Sequence, residues 1–574
     1  MDAAILSVKF QPSHRKSFRR LLLLASLCAC LACASPVQNP QPNPVPLINW
    51  LTPPSTPPGG QDVTVAVYGS GFVSSSIVRW NGSERATTYV SANELKALVS
   101  SSDTATAGTA LVTVFNPAAG GGVSNTASFS VTDPTQAVVL AGGSFLVGDL
   151  PDCGVVADFN GDGKLDVAIG NITTNTVAVL LGNGDGTFGP AQDFVVGSQV
   201  RSIAVGDFNG DGKLDLATAN NVSGTVSILL GNRDGTFAPK IDTTVGTRPR
   251  SLVAADFNGD GILDLAVVNH DSRTVSILLG KGDGTFTTKM SIPTDIEPFW
   301  VVTADFNQDG KLDLAVADHI GGMVSIFLGS GDGTFGPERN FAVGPWVTSL
   351  ATGDFNGDGK ADLAAVNEKN ETLSILLGNG DGTFAPQTTY STGSSAFALG
   401  TADFNGDGKA DIAVRDGGIL LGNGDGTFAP RGPVISGAGR KLFAMAADFN
   451  GDGRLDVLDV DIDESAIYVF LQVPRVEGLP KSVNFQPRMV GTASKPTKIT
   501  MKNSGSALLQ IDNVSISGDF SETHNCGSSL AAGSECTFEL IFAPTMSGTR
   551  SGTLIIADNA SRSPSNVSLT GTGE

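Results

Sequence analysis

The chain is poor in the residues on which most recognisable active sites depend. Its 574 residues include four histidines (His14, His270, His319 and His524) and six cysteines, and only 16 % of them are charged. Neither an HExxH zinc motif nor a GxSxG nucleophile elbow occurs, so the sequence offers no constellation for those chemistries. Long amphipathic runs with helical periodicity are missing too. Positive charge is scarce: 36 Lys and Arg face 57 Asp and Glu, a formal charge of −21. That balance excludes a nucleic-acid partner held through its phosphates, which demand a basic surface. What is abundant is glycine, at 71 residues, with 29 prolines and frequent Val, Ile, Thr and Phe. Short apolar runs separated by Gly, Asn and Asp mark an all-β protein rich in turns, and the length calls for three or four domains.

One apolar run, LLLLASLCACLACA, follows the basic residues His14, Arg15, Lys16, Arg19 and Arg20. It is too short for a comfortable membrane span, so residues 1–34 are expected to be a signal peptide. Ala32-Cys33-Ala34 before Ser35 suits ordinary cleavage, while Leu27-Cys28-Ala29-Cys30 loosely resembles a bacterial lipobox. A secreted or cell-surface protein is expected, with membrane contact only if lipidated. Residues 35–46, which contain PVQNPQPNPVP, would form a stiff linker. In an exported chain Cys526 and Cys536, ten residues apart, are expected to form a disulfide, and Cys153 to be a buried small apolar residue.

The dominant feature is a repeat. The motif Asp-x-Asn-x-Asp-Gly-x-x-Asp begins at Asp158, Asp207, Asp256, Asp305, Asp354, Asp403 and Asp448, spaced 49 residues apart five times and then 45. (In the fourth copy Gln308 replaces a glycine at a position that is not a ligand.) Periods of 40–50 residues are the signature of propellers and solenoids. Each unit holds four strand-like segments; in the second these are SIAVGDF, LDLATAN, TVSILLG and TFAPKIDTTV. Four antiparallel strands make one propeller blade. The seventh unit stops at YVFLQ without a fourth strand, whereas an orphan strand-like segment, AGGSFLVGD, precedes the first motif. If the orphan supplies the missing strand, seven blades close with no sheet edge left open.

The motif accounts for the acidity. Its seven copies hold 21 aspartates, and setting these aside leaves 36 acidic residues against 36 Lys and Arg. Side-chain oxygens at positions 1, 3, 5 and 9, a carbonyl at position 7 and glycine at position 6 shorten the EF-hand scheme, and all-oxygen ligation selects Ca²⁺. The expected ligand sets are Asp158, Asn160, Asp162, Lys164 and Asp166; Asp207, Asn209, Asp211, Lys213 and Asp215; Asp256, Asn258, Asp260, Ile262 and Asp264; and Asp305, Asn307, Asp309, Lys311 and Asp313. The last three sets are Asp354, Asn356, Asp358, Lys360 and Asp362; Asp403, Asn405, Asp407, Lys409 and Asp411; and Asp448, Asn450, Asp452, Arg454 and Asp456. An Asx-rich hairpin turn is the competing reading, but turn geometry alone would not demand Asp at position 9. Three like charges in one loop also call for a counter-ion. The second recurring stretch, GNGDGTF, joins two strands and lacks the Lys-Ser/Thr ending of a phosphate loop, so a hairpin turn is expected there.

Five residues after each ninth position stands Asn171, Asn220, Asn269, Asp318, Asn367, Asp416 or Asp461. These are expected to cap the second strand through side-chain-to-backbone bonds, in a ring on the face opposite the metal loops. Neighbouring connections differ between units and carry Arg248, Arg250, His270, Phe299, Trp300, His319 and Trp346. These are candidates for a ligand face, set against the plainer reading of scattered surface residues.

The seven DFNGDG–LD motifs resemble FG-GAP/VCBS repeats, the calcium-binding blades of integrin-α-like propellers, over residues 138–473. That resemblance implies up to seven structural Ca²⁺ ions on one face and partners met on the other. Residues 47–132, with PLINWLTPPSTPPGGQDVTVAVYGSGF at their start, resemble a TIG/IPT immunoglobulin-like domain. Residues 476–574 look like an ASH/choice-of-anchor-D sandwich, in which a cysteine pair like Cys526 and Cys536 is common. The expected architecture is therefore all-β: a seven-bladed β-propeller flanked by two immunoglobulin-like β-sandwiches. The expected function is non-catalytic adhesion, with a glycan or protein ligand and a monomeric state. A polysaccharide-degrading hydrolase or lyase is the alternative, with Asp459, Asp461, Asp463 and Glu464 of DVDIDES as first suspects.

Overall fold

The computed structural model describes residues 42–574 apart from 136–137, 139, 295–296, 394–397, 415–417, 430–440 and 561–562. The expected signal peptide, most of the Pro-rich linker and Asp416 lie outside the described residues. Glycine punctuation and β-branched runs give strand almost throughout, and the one helical element described is a 3₁₀ turn, Glu368–Asn370. None of the described helices is long and apolar enough to cross a membrane.

The N-terminal part is a sandwich. One sheet orders Leu47–Thr52, Val63–Ser70, Glu94–Val99 and Thr87–Ser91. The other is centred on Gly108–Asn116, between Ala127–Val131 and Ile77–Trp80. Alternation decides which side chains enter the core: Val65, Val67, Leu95, Ala97 and Val114 are buried there, with Trp80 against Phe129 at 5.0 Å.

Among the described residues of 140–472 the strands form seven separate, open, antiparallel sheets. That of the second repeat orders Val200–Gly206, Asp215–Asn220, Thr225–Leu229 and Ile241–Thr244. Every residue of the second strand Asp215–Asn220 is buried, because neighbouring sheets cover both of its faces. The first strands of successive sheets are neighbours, and Lys441–Ala447 of the last neighbours Pro151–Ala157 of the first. The orphan Leu140–Leu146 pairs antiparallel with Ala466–Gln472. In the sixth repeat three strands are described, and the place of a fourth lies outside the described residues.

The two Phe-containing motifs bind sheet to sheet. The Phe of DFNGDG meets the Phe of GNGDGTF in the next sheet edge to face, as in Phe208–Phe286 at 5.9 Å and Phe257–Phe335 at 5.7 Å. The hairpin also donates a backbone N–H to the same partner, from Gly284 to the Phe208 carbonyl at 3.1 Å. GNGDGTF is thus a hairpin turn, and also a latch between sheets. The first and last sheets share this contact, Phe188 against Phe449 at 5.7 Å.

The C-terminal part is a second sandwich, with Thr497–Asn503 and Glu535–Phe542 central in one sheet and Ser565–Gly573 and Gly548–Asp558 in the other. Phe538, Phe542, Leu554 and Leu569 fill its core, beside a Cys526–Cys536 disulfide. Cys153 is buried among Val177, Val200 and Ile203.

Candidate functional site

Each acidic loop joins the first and second strands of its sheet, and its side chains fold it into nested turns. In the second copy Asp207 Oδ2 accepts from Gly212 N at 2.8 Å, and Oδ1 from Asp211 N at 3.1 Å. Asn209 Oδ1 accepts from Asp211 N, and Asp211 Oδ1 from Lys213 N. Gly212 sits at φ +78, where glycine carries no Cβ penalty; Gln308 takes a left-handed φ of +56 where the six other copies have glycine at φ near +74.

The ninth position corrects the sequence argument. Asp215 is wholly buried; its Oδ2 accepts from Phe208 N at 2.9 Å and its Oδ1 from Gly231 N at 2.7 Å. The same pair of bonds recurs at Asp166, Asp264, Asp313, Asp362 and Asp411, and at Asp456 the second donor is Gln472 N. Turn and sheet geometry therefore do demand this Asp, since two buried N–H groups would otherwise lack an acceptor. Burial, with the aspartates at positions 1 and 5 adding like charge, pushes Asp215 up to about 6, Asp313 and Asp362 to about 7, and Asp264 and Asp411 to about 8.

The donor set is all oxygen, three carboxylates and one amide per loop, and chemically fits a hard dication. Among the described residues, however, no three His, Cys, Asp or Glu side chains are gathered as a ready-made metal cluster. In two copies the position-7 lysine donates to the position-5 carboxylate, Lys213 Nζ to Asp211 and Lys360 Nζ to Asp358, both at 3.0 Å.

The N-terminal sandwich rests on these loops, which nothing in the sequence announced. Val45 N donates to Asp256 Oδ2 at 3.0 Å, Asn93 Nδ2 to Asp305 Oδ2 at 2.6 Å, and Ser55 Oγ to Asp403 Oδ2. Tyr68 lies against Gly359, and Arg454 Nη2 donates to the Asp133 carbonyl. Five loops are thus in contact with that sandwich, whereas residues 161–164 and 210–212 of the first two stay exposed.

At the opposite ends of the sheets, the Asn and Asp column is not an exposed ring. Asn171, Asn220, Asn269, Asp318, Asn367 and Asp461 are buried. The caps are chiefly side chain to side chain: Asn220 Nδ2 donates to Thr225 Oγ1 and Ser227 Oγ, and Asn367 Nδ2 to Thr372 Oγ1 and Ser374 Oγ. The suspects of DVDIDES do not converge either. Asp459 and Asp461 are buried in a strand, and Asp461 Oδ1 accepts from the N–H groups of Asp463 and Glu464 to close a turn.

A different column surfaces on this face. The first strand of each of six sheets bulges at its second residue, and in four of them that residue is Asp152, Arg201, Arg250 or Phe299. Bulges re-aim side chains, and here they bring together most of the candidate ligand residues. The Arg250 guanidinium lies 3.8 Å over the Phe299 ring. Phe299 is 4.4 Å from His319, which is 6.1 Å from Trp346 and 6.4 Å from His270. Burial, reinforced by Arg250 and His270, pushes His319 down to about 4. Burial likewise lowers Arg250 to about 10. Arg248 stands at the rim, paired with Asp271 at 3.3 Å. Trp300 does not belong: it lines a cavity of about 340 Å³ together with Leu47 and Cys153, away from the cluster. Asp152 and Arg201 were not singled out from sequence, although both stand six residues before a motif, in register with Arg250.

The FG-GAP-like repeat family matches residues 158–218, 207–267, 256–316, 305–365, 354–414 and 415–458, and the IPT/TIG domain family matches residues 46–131. No curated protein matches the chain. Among solved structures the chain is similar to BBS1N in its complex with ARL6DN, with 12 % identity, 58 % of this chain and 96 % of that one covered, and a TM-score of 0.43. An auxiliary nutrient binding protein from Bacteroides ovatus is similar at 11 % identity, with 74 % and 98 % covered and a TM-score of 0.36. The ASH/PapD-like domain of human CEP192 shares 13 % identity over 18 % of this chain and 87 % of its own, with a TM-score of 0.16.

Proposed function

The chain belongs to the FG-GAP-like repeat family, and from that premise we propose that it is an exported, calcium-stabilised, seven-bladed propeller that presents a binding face for a glycan or protein ligand. In this reading the seven sheets are blades, and the pairing of Leu140–Leu146 with Ala466–Gln472 closes the ring. The C-terminal sandwich is read as an ASH/choice-of-anchor-D domain and the protein as a surface adhesin, not an enzyme.

The observation that carries the binding role is the Arg250–Phe299–His319–Trp346 cluster on the face away from the acidic loops. It joins aromatic surface to polar groups at one place, as small-ligand recognition requires. Bound calcium would supply charge compensation within the loops. The chain's own part is to hold Asp207, Asn209 and Asp211 in nested turns, with their oxygens on one short loop. Affinity of about 10⁻⁴–10⁻³ M is expected for extracellular modules.

A glycan array probed with the full chain, with calcium and with chelator, tests the reading. Binding that Trp346→Ala removes supports it. Release of new reducing or unsaturated ends from polysaccharides would replace it with an enzymatic role. Calorimetric melting in chelator and in calcium tests the metal: an unchanged melting temperature at millimolar calcium sinks that part of the proposal.

A further inference from the structure

Resting on the reading of that face as a binding surface, we propose that Arg250 and His319 form an oxyanion site that takes the carboxylate of an acidic sugar, a uronate, whose ring packs on Trp346. The argument begins with charge. The other arginines of this face are paired: Arg201 with Asp152 at 3.0 Å, Arg248 with Asp271 at 3.3 Å and Arg273 with Glu297 at 3.6 Å. Arg250 makes no hydrogen bond or ion pair among the described residues; its one close partner is the Phe299 ring. Stacking fixes the guanidinium plane and leaves its N–H edge available, which is the geometry that receives a carboxylate through two parallel hydrogen bonds. The acid whose charge reaches it, Asp152, is already paired with Arg201, and a half-buried cation with no ion pair of its own costs free energy that a bound anion returns.

His319 is the second donor. Its ring packs on Phe299 at 4.4 Å, and its Nε2 is buried without a hydrogen-bond partner among the described residues. A buried polar nitrogen in that state is satisfied by a ligand atom at less cost than by repacking. Beside it Trp346, 40 % exposed, offers an aromatic face of the kind on which a sugar ring lies. The left-handed φ of +60 at Trp346 is no sign of function in itself, because Leu150, Gln199 and Arg248 share it at the equivalent positions.

The surroundings select the class of anion. Asp152, Asp271 and Glu297 are each engaged by another cation of this face, so Arg250 is the arginine left without an ion pair among the described residues, and Lys369 Nζ, 5.5 Å from the Trp346 ring centroid, is a second cation beside it. The guanidinium of Arg250 balances the single charge of a carboxylate; a phosphate dianion would bring a second charge that Arg250 alone leaves unmatched.

Titration calorimetry of the full chain with trigalacturonate, its methyl ester and inorganic phosphate decides the matter. Trigalacturonate is expected to bind, with the ester weaker by roughly 10- to 100-fold and phosphate weaker still. Arg250→Gln, with an unchanged melting temperature, is expected to lower trigalacturonate affinity by the same factor and to leave the ester unaffected. Trp346→Ala is expected to weaken both sugars by about fivefold. Equal affinity for acid and ester overturns the proposal without needing any variant to fold. If Trp346→Ala then still weakens both, the face binds sugars but not through their charge. Tighter phosphate binding overturns the choice of a sugar carboxylate, and no binding of any probe overturns the site and weighs against the binding face as well.

Discussion

Gln472 donates through Nε2 to the carbonyl of Phe404 at 2.7 Å and to that of Leu455 at 2.8 Å, with its own side chain buried. Elsewhere the carbonyl of the motif Phe accepts from the GNGDGTF hairpin of the next sheet, as Phe208 does from Gly284 and Phe306 from Gly382. The last repeat has no such hairpin, and one glutamine stands in for it. Its backbone N–H also takes the place of the hairpin glycine at Asp456 Oδ1.

Gln472→Leu keeps the apolar bulk and strands two buried carbonyls. It is expected to cost about 2–4 kcal/mol, read from the urea midpoint of the full chain. A cost near zero would mean that water replaces the amide.

Asp215→Ala separates scaffolding from metal binding. In chelator the variant loses the shared acceptor of Phe208 N and Gly231 N, and a loss of about 2–4 kcal/mol is expected even without calcium. Asp215→Asn keeps one acceptor oxygen and is expected to lose less. If Asp215→Ala melts like wild type in chelator, the buried carboxylate has no structural role.

Asn93→Asp places a carboxylate against Asp305, which is itself buried. It is expected to destabilise more than Asn93→Ala, which removes two hydrogen bonds, to Asp305 and to the Gly69 carbonyl, each worth about 1 kcal/mol. Hydrogen exchange in Glu94–Val99, the strand that Asn93 precedes, is expected to rise in the same order.

His319 carries a prediction about pH. Burial holds it near 4, below the ordinary 6.5, so between those values the unfolded chain binds the extra proton. Stability from this group is full above pH 6.5 and falls as pH drops towards 4. His319→Phe keeps an aromatic ring and removes the titration. Its stability relative to wild type is expected to rise between pH 7 and pH 5, measured by urea unfolding at both values; no change in the difference would mean that His319 is protonated freely in the fold.

Much of this was legible in the sequence because it is local or periodic. The acidic loops, the hairpins, the N-terminal sandwich and the disulfide each follow from spacing or strand pattern, and the C-terminal sandwich was implied by its resemblance to a known family. Three features were not. The Phe208–Phe286 latch joins residues of two different repeats, so a reading within one repeat sees two unconnected apolar residues. The N-terminal sandwich reaches the loops through Val45, Ser55 and Asn93, single donors in a connection, a two-residue strand and a turn that no motif marks. Phe299 and Trp300 are adjacent in sequence yet face different surroundings, because the strand bulges between Pro298 and Trp300. The ninth aspartate was legible as a constraint but its scaffolding part was not, since one of the backbone donors it accepts from lies as far away as Gly231.

The pairing of Leu140–Leu146 with Ala466–Gln472 bears on how the protein is made. On the ribosome, the early strand is finished more than 300 residues before its mate emerges. Until then Leu140–Leu146 has no partner strand, and the chain must carry an open strand through most of its synthesis. Closing so long a loop is entropically slow, so within residues 140–472 the union of the first strand and the last is expected to come late. The chain therefore gains from remaining unfolded until both strands are available, and one cut short before residue 466 would keep Leu140–Leu146 as an unpaired, adhesive strand.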